Sequence, residues 1–228
     1  MPKANGWPTI RLSAGDFIMT CEMIRTNDRK IGNRDMKKYK VILSSNSPRR
    51  KELFAGLGID FEVRVINGIA ESYPDGLTQK EVPLYIAKEK AAAYEIADDE
   101  LVITADTVVI VDNEILGKPA SEDEARQMLR KLSGRSHEVT TGVCLTTCGQ
   151  QRSFAVTTEV TFKQLSEEEI DYYVENYHPL DKAGAYGIQE WIGYIGVTSL
   201  HGSYFNVMGL PVQRIYDELR NTFGFELK

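Results

Sequence analysis

The segment 101–111, LVITADTVVIV, constrains the fold more than any other stretch of the chain. Its flanks, LVIT at 101–104 and VVIV at 108–111, are rich in β-branched residues and read as a central strand interrupted by the polar Ala-Asp-Thr. An ionised carboxylate left unpaired in such apolar surroundings is costly. Asp106 therefore needs a metal, another cation, a cleft or, as a purely structural residue, backbone amides.

Strand-like and helix-like stretches alternate around this segment. Residues 39–44 (YKVILS) form a short apolar run, read as a buried strand. Pro48 stands where a helix would start, residues 49–57 continue with helical spacing, and Gly58 stops them. Residues 61–66 alternate as a second strand. A helix is expected over 78–96, with Pro83 moving its true start nearer Val82. Asn113-Glu114 reads as a hairpin tip. Ser121-Glu-Asp-Glu signals a capped helix over 121–132. Residues 137–147 and 152–162 alternate as long strands with a turn near Gly149, and Ser166 caps a helix over 166–177. The Gly-rich stretch 184–209 reads as loop, and 212–221 as a closing amphipathic helix. The class implied is α/β, a mixed twisted sheet with flanking helices.

Charge is unevenly distributed. The first 39 residues carry eight Lys/Arg against four Asp/Glu, and the remainder carries 19 against 29. A formal charge of −6 is unsuited to wrapping a nucleic acid polymer, which needs a broad basic face, although a small polyphosphate needs only local cations. No apolar run approaches the roughly 18 residues of a membrane span. The front end has no apolar core of a signal peptide, and its Asp16, Glu22, Asp28 and Asp35 suit a transit peptide poorly. Met36 opens Met-Lys-Lys-Tyr-Lys just before the first strand, so residues 1–38 read as an extension and 39–228 as one domain. Three cysteines make no disulfide framework. Cys144 and Cys148, extended, stand roughly 13 Å apart, too far to bridge, as suits reduced thiols in a cytoplasmic protein.

Several loops that follow strand ends carry the residues able to do chemistry. Ser47, Arg49 and Arg50 lie in SSNSPRR at a helix start, where free amides, hydroxyls and guanidinium groups favour phosphate; an ordinary N-cap with two solvated arginines fits equally. Glu71 and Asp75 follow the second strand. Lys118 sits in the tight loop Gly-Lys-Pro and reads as a ligand cation or a solvated lysine. In DKAGAYGIQ, over 181–189, glycines allow close approach to a ligand, Gln189 supplies donor and acceptor, and Tyr186 has a face for a base; a structural loop remains the alternative. His137, His178 and His201 form no metal spacing. Cations for phosphates together with carboxylates for a divalent metal are what polyphosphate hydrolysis requires.

These segments resemble the Maf family of nucleotide pyrophosphatases over residues 40–219, through SNSPRRKELFAGLGIDFEV, ESYPD, ITADTVV, LGKP, LSGRSHEVTTGV, DKAGAYGIQ and GSYFNVMGLP. The resemblance implies two lobes around a deep cleft, in the Maf and inosine triphosphatase manner. It also implies a homodimer and a magnesium or manganese ion as cofactor. Asp106 matches the family's proton acceptor. Arg49, Thr107 and Gln189 match positions tied to substrate selection. Ser47 and Arg50 match the phosphate-holding loop, Lys118 the cleft lysine, and Glu71 a cleft carboxylate. Glu71 and Asp106 together are the implied metal carboxylates. Ala70 departs from the pattern, since relatives often carry a second acid there. DKAGAYGIQ resembles the branch acting on dTTP and UTP, which it cuts to the monophosphate and pyrophosphate. The rival readings are a 7-methyl-GTP pyrophosphatase and a nucleotide-sensing regulator of cell division, and intact Asp106 and Lys118 favour an enzyme.

Overall fold

The computed structural model describes residues 39–226. The expected extension over 1–38, the start at Met36 and Cys21 lie outside the described residues. In order, the elements are β1 (Lys40–Ser44), α1 (Pro48–Ala55), β2 (Phe61–Val63), α2 (Val82–Ala92), β3 (Glu100–Val111) and β4 (Glu114–Leu116). There follow α3 (Glu122–Leu132), β5 (Ser136–Thr146), β6 (Gln151–Phe162), α4 (Glu167–Tyr177), α5 (Trp191–Gly196), β7 (Val197–His201), α6 (Tyr204–Val207) and α7 (Val212–Phe223). Among the described residues seven strands form one sheet in the order β2-β1-β3-β5-β6-β7, with β4 also pairing β3. β1 runs parallel to β2 and β3, and the other pairs are antiparallel, so the sheet is mixed as expected.

β3 is the spine, and it is unbroken where an interruption was expected. Asp106 stays in the ladder opposite Gly142 of β5, because strand pairing uses the backbone and leaves the side chain free to find its partner on one face. Side chains along β3 alternate between faces. Val108 and Ile110 pack with Val82 and Ile86 of α2, and Thr104 Oγ1 donates to the Ala87 carbonyl at 2.6 Å. On the opposite face Leu101, Ile103 and Ala105 meet Phe54 of α1 and Ile215 and Leu219 of α7. Further along, Val109 and Val111 join a core with Leu129 of α3 and Ile170 and Val174 of α4. Adjacent residues of the same motif, Asp106 and Thr107, are thereby sent to opposite faces.

Gly142 explains how close α2 comes. A Cβ there would lie 2.3 Å from the Leu84 amide nitrogen, so only glycine lets the first turn of α2 rest on β5.

Several boundaries move. α1 stops at Ala55 and unwinds through turns to Gly58, which takes φ +67°. β2 stops at Val63 because it pairs β1 alone, at the sheet edge. The hairpin tip is Asp112-Asn113, with φ +49° and +61°, one residue earlier than read, and Glu114 opens β4. The stretch 184–209, read as loop, contains α5, β7 and α6. β7 escapes detection because it is a largely exposed edge strand without a buried alternation to read. Cys144 is buried and Cys148 exposed, both free. Among the described residues no helix is long and apolar enough to cross a membrane.

Candidate active site

The loop leaving β1 is ordered by its own hydroxyls. Ser45 Oγ accepts from the Ser47 amide at 3.2 Å, and Ser47 Oγ caps α1 by accepting from the Arg50 amide at 3.4 Å. Pro48 opens the helix, where a missing N–H breaks no helical bond. Successive arginines then diverge. Arg49 Nη1 reaches Asp181 Oδ2 at 2.8 Å. Arg50 bonds three groups of the frame: the Gly209 carbonyl at 2.7 Å, the Ala105 carbonyl at 2.9 Å and Thr107 Oγ1 at 2.9 Å. Thr107 also exchanges a hydrogen bond with Thr141 at 2.9 Å. Arg50 and Thr107 therefore join α1, β3, β5 and the turn before α7. Burial lowers the Arg50 pKa, and Asp106 opposes that effect.

The opposite face of β3 answers what Asp106 needs. Its partner is a cation absent from the sequence reading: Lys90 Nζ, on α2, stands 2.9 Å from Asp106 Oδ1 and 2.7 Å from Glu71 Oε1. Lys90 and Asp106 side chains are only 16% and 14% exposed, so this is a mostly buried pair. The sequence does carry a signal for Lys90. Lys90 lies one turn beyond buried Ile86 and two beyond buried Val82, so it sits on the inward stripe of α2. Partial burial pushes the Glu71 carboxyl up, yet Lys90, with Lys118 and Arg50 behind it, outweighs burial and holds Glu71 below its ordinary range.

Residues 181–190 close the site from another direction. The Gly184 amide donates to the Gly117 carbonyl at 3.0 Å, which ties this segment to the loop carrying Lys118. Gly184 takes φ +68° with Val109 side-chain atoms 2.9 Å from where a Cβ would be. Tyr186, expected to offer a face to a base, lines the cleft, while its hydroxyl points inward to His137 Nε2 at 2.7 Å and its ring packs edge-on against Phe162. Burial keeps His137 neutral, its pKa lowered to about 4, as fits a structural histidine. Gln189 Oε1 is buried without a protein partner.

Every expected site residue, Ser47, Arg49, Arg50, Glu71, Asp106, Thr107, Lys118 and Gln189, lines one cleft of about 850 Å³. That volume suits a small molecule, whose sites span roughly 300–1,000 Å³. Lys90, Asp181 and Lys182, none of them singled out from sequence as ligand groups, line it too. Among the described residues no three His, Cys, Asp or Glu side chains converge as a metal cage. Two carboxylates nevertheless converge on one cationic atom, Lys90 Nζ. That donor set fits a magnesium-like ion, which takes one or two carboxylates and completes its shell with water and substrate phosphate.

A family model described as Maf-like protein matches residues 40–222. A dTTP/UTP pyrophosphatase of Phocaeicola vulgatus is 65% identical over 188 residues, which cover 82% of this chain and 97% of the relative. A protein of the same name from Bacteroides thetaiotaomicron is 57% identical over 83% of this chain and 98% of its own length. Among solved structures, a HAM1 protein from Coxiella burnetii aligns over 54% of this chain and 73% of that one, at 16% identity and a TM-score of 0.37. With relatives this similar aligned over nearly their whole length, the chain belongs to the Maf-like protein family.

Proposed function

We propose that this chain is a nucleoside triphosphate pyrophosphatase that hydrolyses dTTP and UTP to the monophosphate and pyrophosphate. The observation that carries the reading is the meeting of Asp106 and Glu71 on Lys90, in a cleft that Arg49 and Lys118 also line. Relatives 50–65% identical, named dTTP/UTP pyrophosphatase, support the choice of nucleotide. The unpartnered Gln189 Oε1 supports it as well. Thymine and uracil present an N3–H donor beside an O4 acceptor, matching the oxygen and nitrogen of one amide.

Arg49 and Lys118 bind the phosphates by charge, and the start of α1 adds the positive end of its dipole. Lys90 engages only Oδ1 of Asp106, which leaves Oδ2 to accept the proton of the water that attacks the α-phosphorus. As the bond to the bridging oxygen breaks, Lys118 and Arg49 neutralise the charge gathering on pyrophosphate. Glu71 and Asp106 would hold a divalent cation, magnesium or manganese. Bound there, it supplies Lewis-acid polarisation of the phosphate oxygens. The same proposal extends to a cytoplasmic homodimer, for which exposed Tyr194, Tyr204 and Phe205 offer apolar surface.

A panel of nucleotides, with products identified by chromatography, tests the activity. dTTP and UTP should be the best substrates, each giving monophosphate and pyrophosphate in equal amounts. Inorganic phosphate with a nucleoside diphosphate would remove the α-phosphorus assignment. Preference for 7-methyl-GTP would move the substrate. A single-chain mass by light scattering would remove the dimer.

A further inference from the structure

Beneath Gln189 lies a run of side chains that no step of hydrolysis uses. Tyr173, on α4, is fully buried. Its hydroxyl donates to Glu190 Oε2 and accepts from the Gly187 amide at 3.0 Å. Glu190 Oε1 meets Lys182 Nζ at 3.1 Å, and Lys182 meets Asp181 at 2.7 Å. Asp181 in turn reaches Arg49 on α1 at 2.8 Å. The Lys182 side chain is 8% exposed, a burial tolerated because two carboxylates neutralise it. Burial pushes the Asp181 carboxyl up, but Lys182 and Arg49 outweigh this and hold it low. The run therefore stays charged and connected from the interior of α4 to the arginine at the start of α1.

Two further features direct its effect to the cleft. A Cβ on Gly187 would lie 2.8 Å from the Glu190 carboxyl carbon and 3.0 Å from Gln189 Nε2. The Glu190 carboxylate and the Gln189 amide thus lie against the same point of backbone, where only glycine leaves room for both. Gln189 Oε1 has no protein partner, so the backbone that carries the amide places it.

We infer that Tyr173, Glu190 and Lys182 are positioning residues that hold the base-facing amide of Gln189 in register with the phosphate-facing guanidinium of Arg49. The inference rests on the reading of Gln189 as a contact to the base. Removing the Tyr173 hydroxyl takes away the acceptor of the Gly187 amide and the donor to Glu190 together. The backbone bearing Gln189 then loses its anchor while Asp106, Glu71 and Lys90 keep theirs.

The test uses the full chain as Tyr173→Phe, Glu190→Gln, Glu190→Ala and Gln189→Ala. Steady-state kinetics on dTTP and CTP are measured beside hydrogen exchange of the peptide spanning 183–190. Tyr173→Phe should raise KM for dTTP about tenfold, with kcat within about twofold, and narrow the preference for dTTP over CTP. Exchange in 183–190 should quicken. Glu190→Gln keeps the acceptor for Tyr173 but turns an amide NH2 towards Lys182, so it should raise KM less than Glu190→Ala, which should behave as Tyr173→Phe does. Should Tyr173→Phe not fold, Glu190→Ala carries the same readouts. If Gln189→Ala raises KM while Tyr173→Phe and Glu190→Ala leave KM, nucleotide preference and exchange unchanged, the inference is overturned. If Gln189→Ala leaves KM unchanged while exchange quickens in Tyr173→Phe, the base contact fails and the anchoring of the segment stands.

Discussion

Glu71, Lys90 and Asp106 on one side of the cleft, and residues 181–190 on another, are fixed by different means. Asp106 and Lys90 stand on regular structure, a central strand and the helix packed against it, and their meeting follows from strand parity and helical pitch. The 181–190 segment has only one short 3-10 turn, Ala183–Ala185, after the end of another, Pro179–Asp181. It is held by contacts from outside: Tyr173 on the Gly187 amide, His137 on Tyr186, and Gly117 on Gly184. The contrast separates two kinds of sensitivity. Where charges sit on rigid elements, substitution changes the rate. Where a loop hangs on buried side chains, substitution changes which nucleotide fits and how pH affects stability.

The largest expected effect is on the first side. Asp106→Asn keeps volume and ladder but cannot accept a proton, so kcat for dTTP should fall on the order of 10²–10⁴-fold. The apo protein should not gain stability, because Asp106 is already neutralised by Lys90. A higher melting temperature in Asp106→Asn would show the pair to be a net burden. Near wild-type kcat in a folded variant would take Asp106 out of the reaction.

His137 probes the second side. Its folded pKa of about 4 lies below the ordinary 6.5, so between these values the unfolded chain binds the extra proton. Stability should therefore be complete above about pH 6.5 and fall as pH drops towards 4, by about 3 kcal/mol in all. Denaturant melts across that range measure the slope. His137→Phe should flatten it while lowering stability at pH 7 by roughly 1–3 kcal/mol, because Tyr186 loses its partner. An unchanged slope would place the acid sensitivity elsewhere.

Gly142→Ala sharpens the contrast from beneath α2. The added methyl must push the Leu84 backbone away, costing about 1–3 kcal/mol by overpacking. Because α2 carries Lys90, kcat should fall while the preference for dTTP over CTP stays. A changed preference with intact kcat would mean that the two sides are not separable.

The smallest effect on stability belongs to Glu71, whose side chain is 54% exposed. Its folded pKa is held low, so its contribution is present above the ordinary value of 4.5 and is lost as pH falls through the folded one. Glu71→Gln should slightly flatten the acid limb below about pH 4.5, which melts between pH 3 and 5 would resolve.

Local sequence determined the class of this protein and much of its cleft. Apolar spacing two, three and four residues apart is a property of neighbours, so the β1-α1 unit, the long β5-β6 hairpin and the capped α3 and α4 were legible. So were the loops after strand ends that carry Ser47, Glu71 and Lys118, and the polar Asp106 within an apolar strand. Tertiary structure alone decided who faces whom. Lys90 and Asp106 are 16 residues apart, and Arg49 and Asp181 are 132 apart. Such pairs exist only once the sheet register and the close approach of α2 over Gly142 are set. The same holds for Arg50, Thr107 and Tyr186, whose residue types suit a ligand but whose polar atoms the fold turns to its own carbonyls, hydroxyls and His137. A side chain's type states what it can bond, whereas its partner is chosen by whichever group the packed backbone brings within about 3 Å.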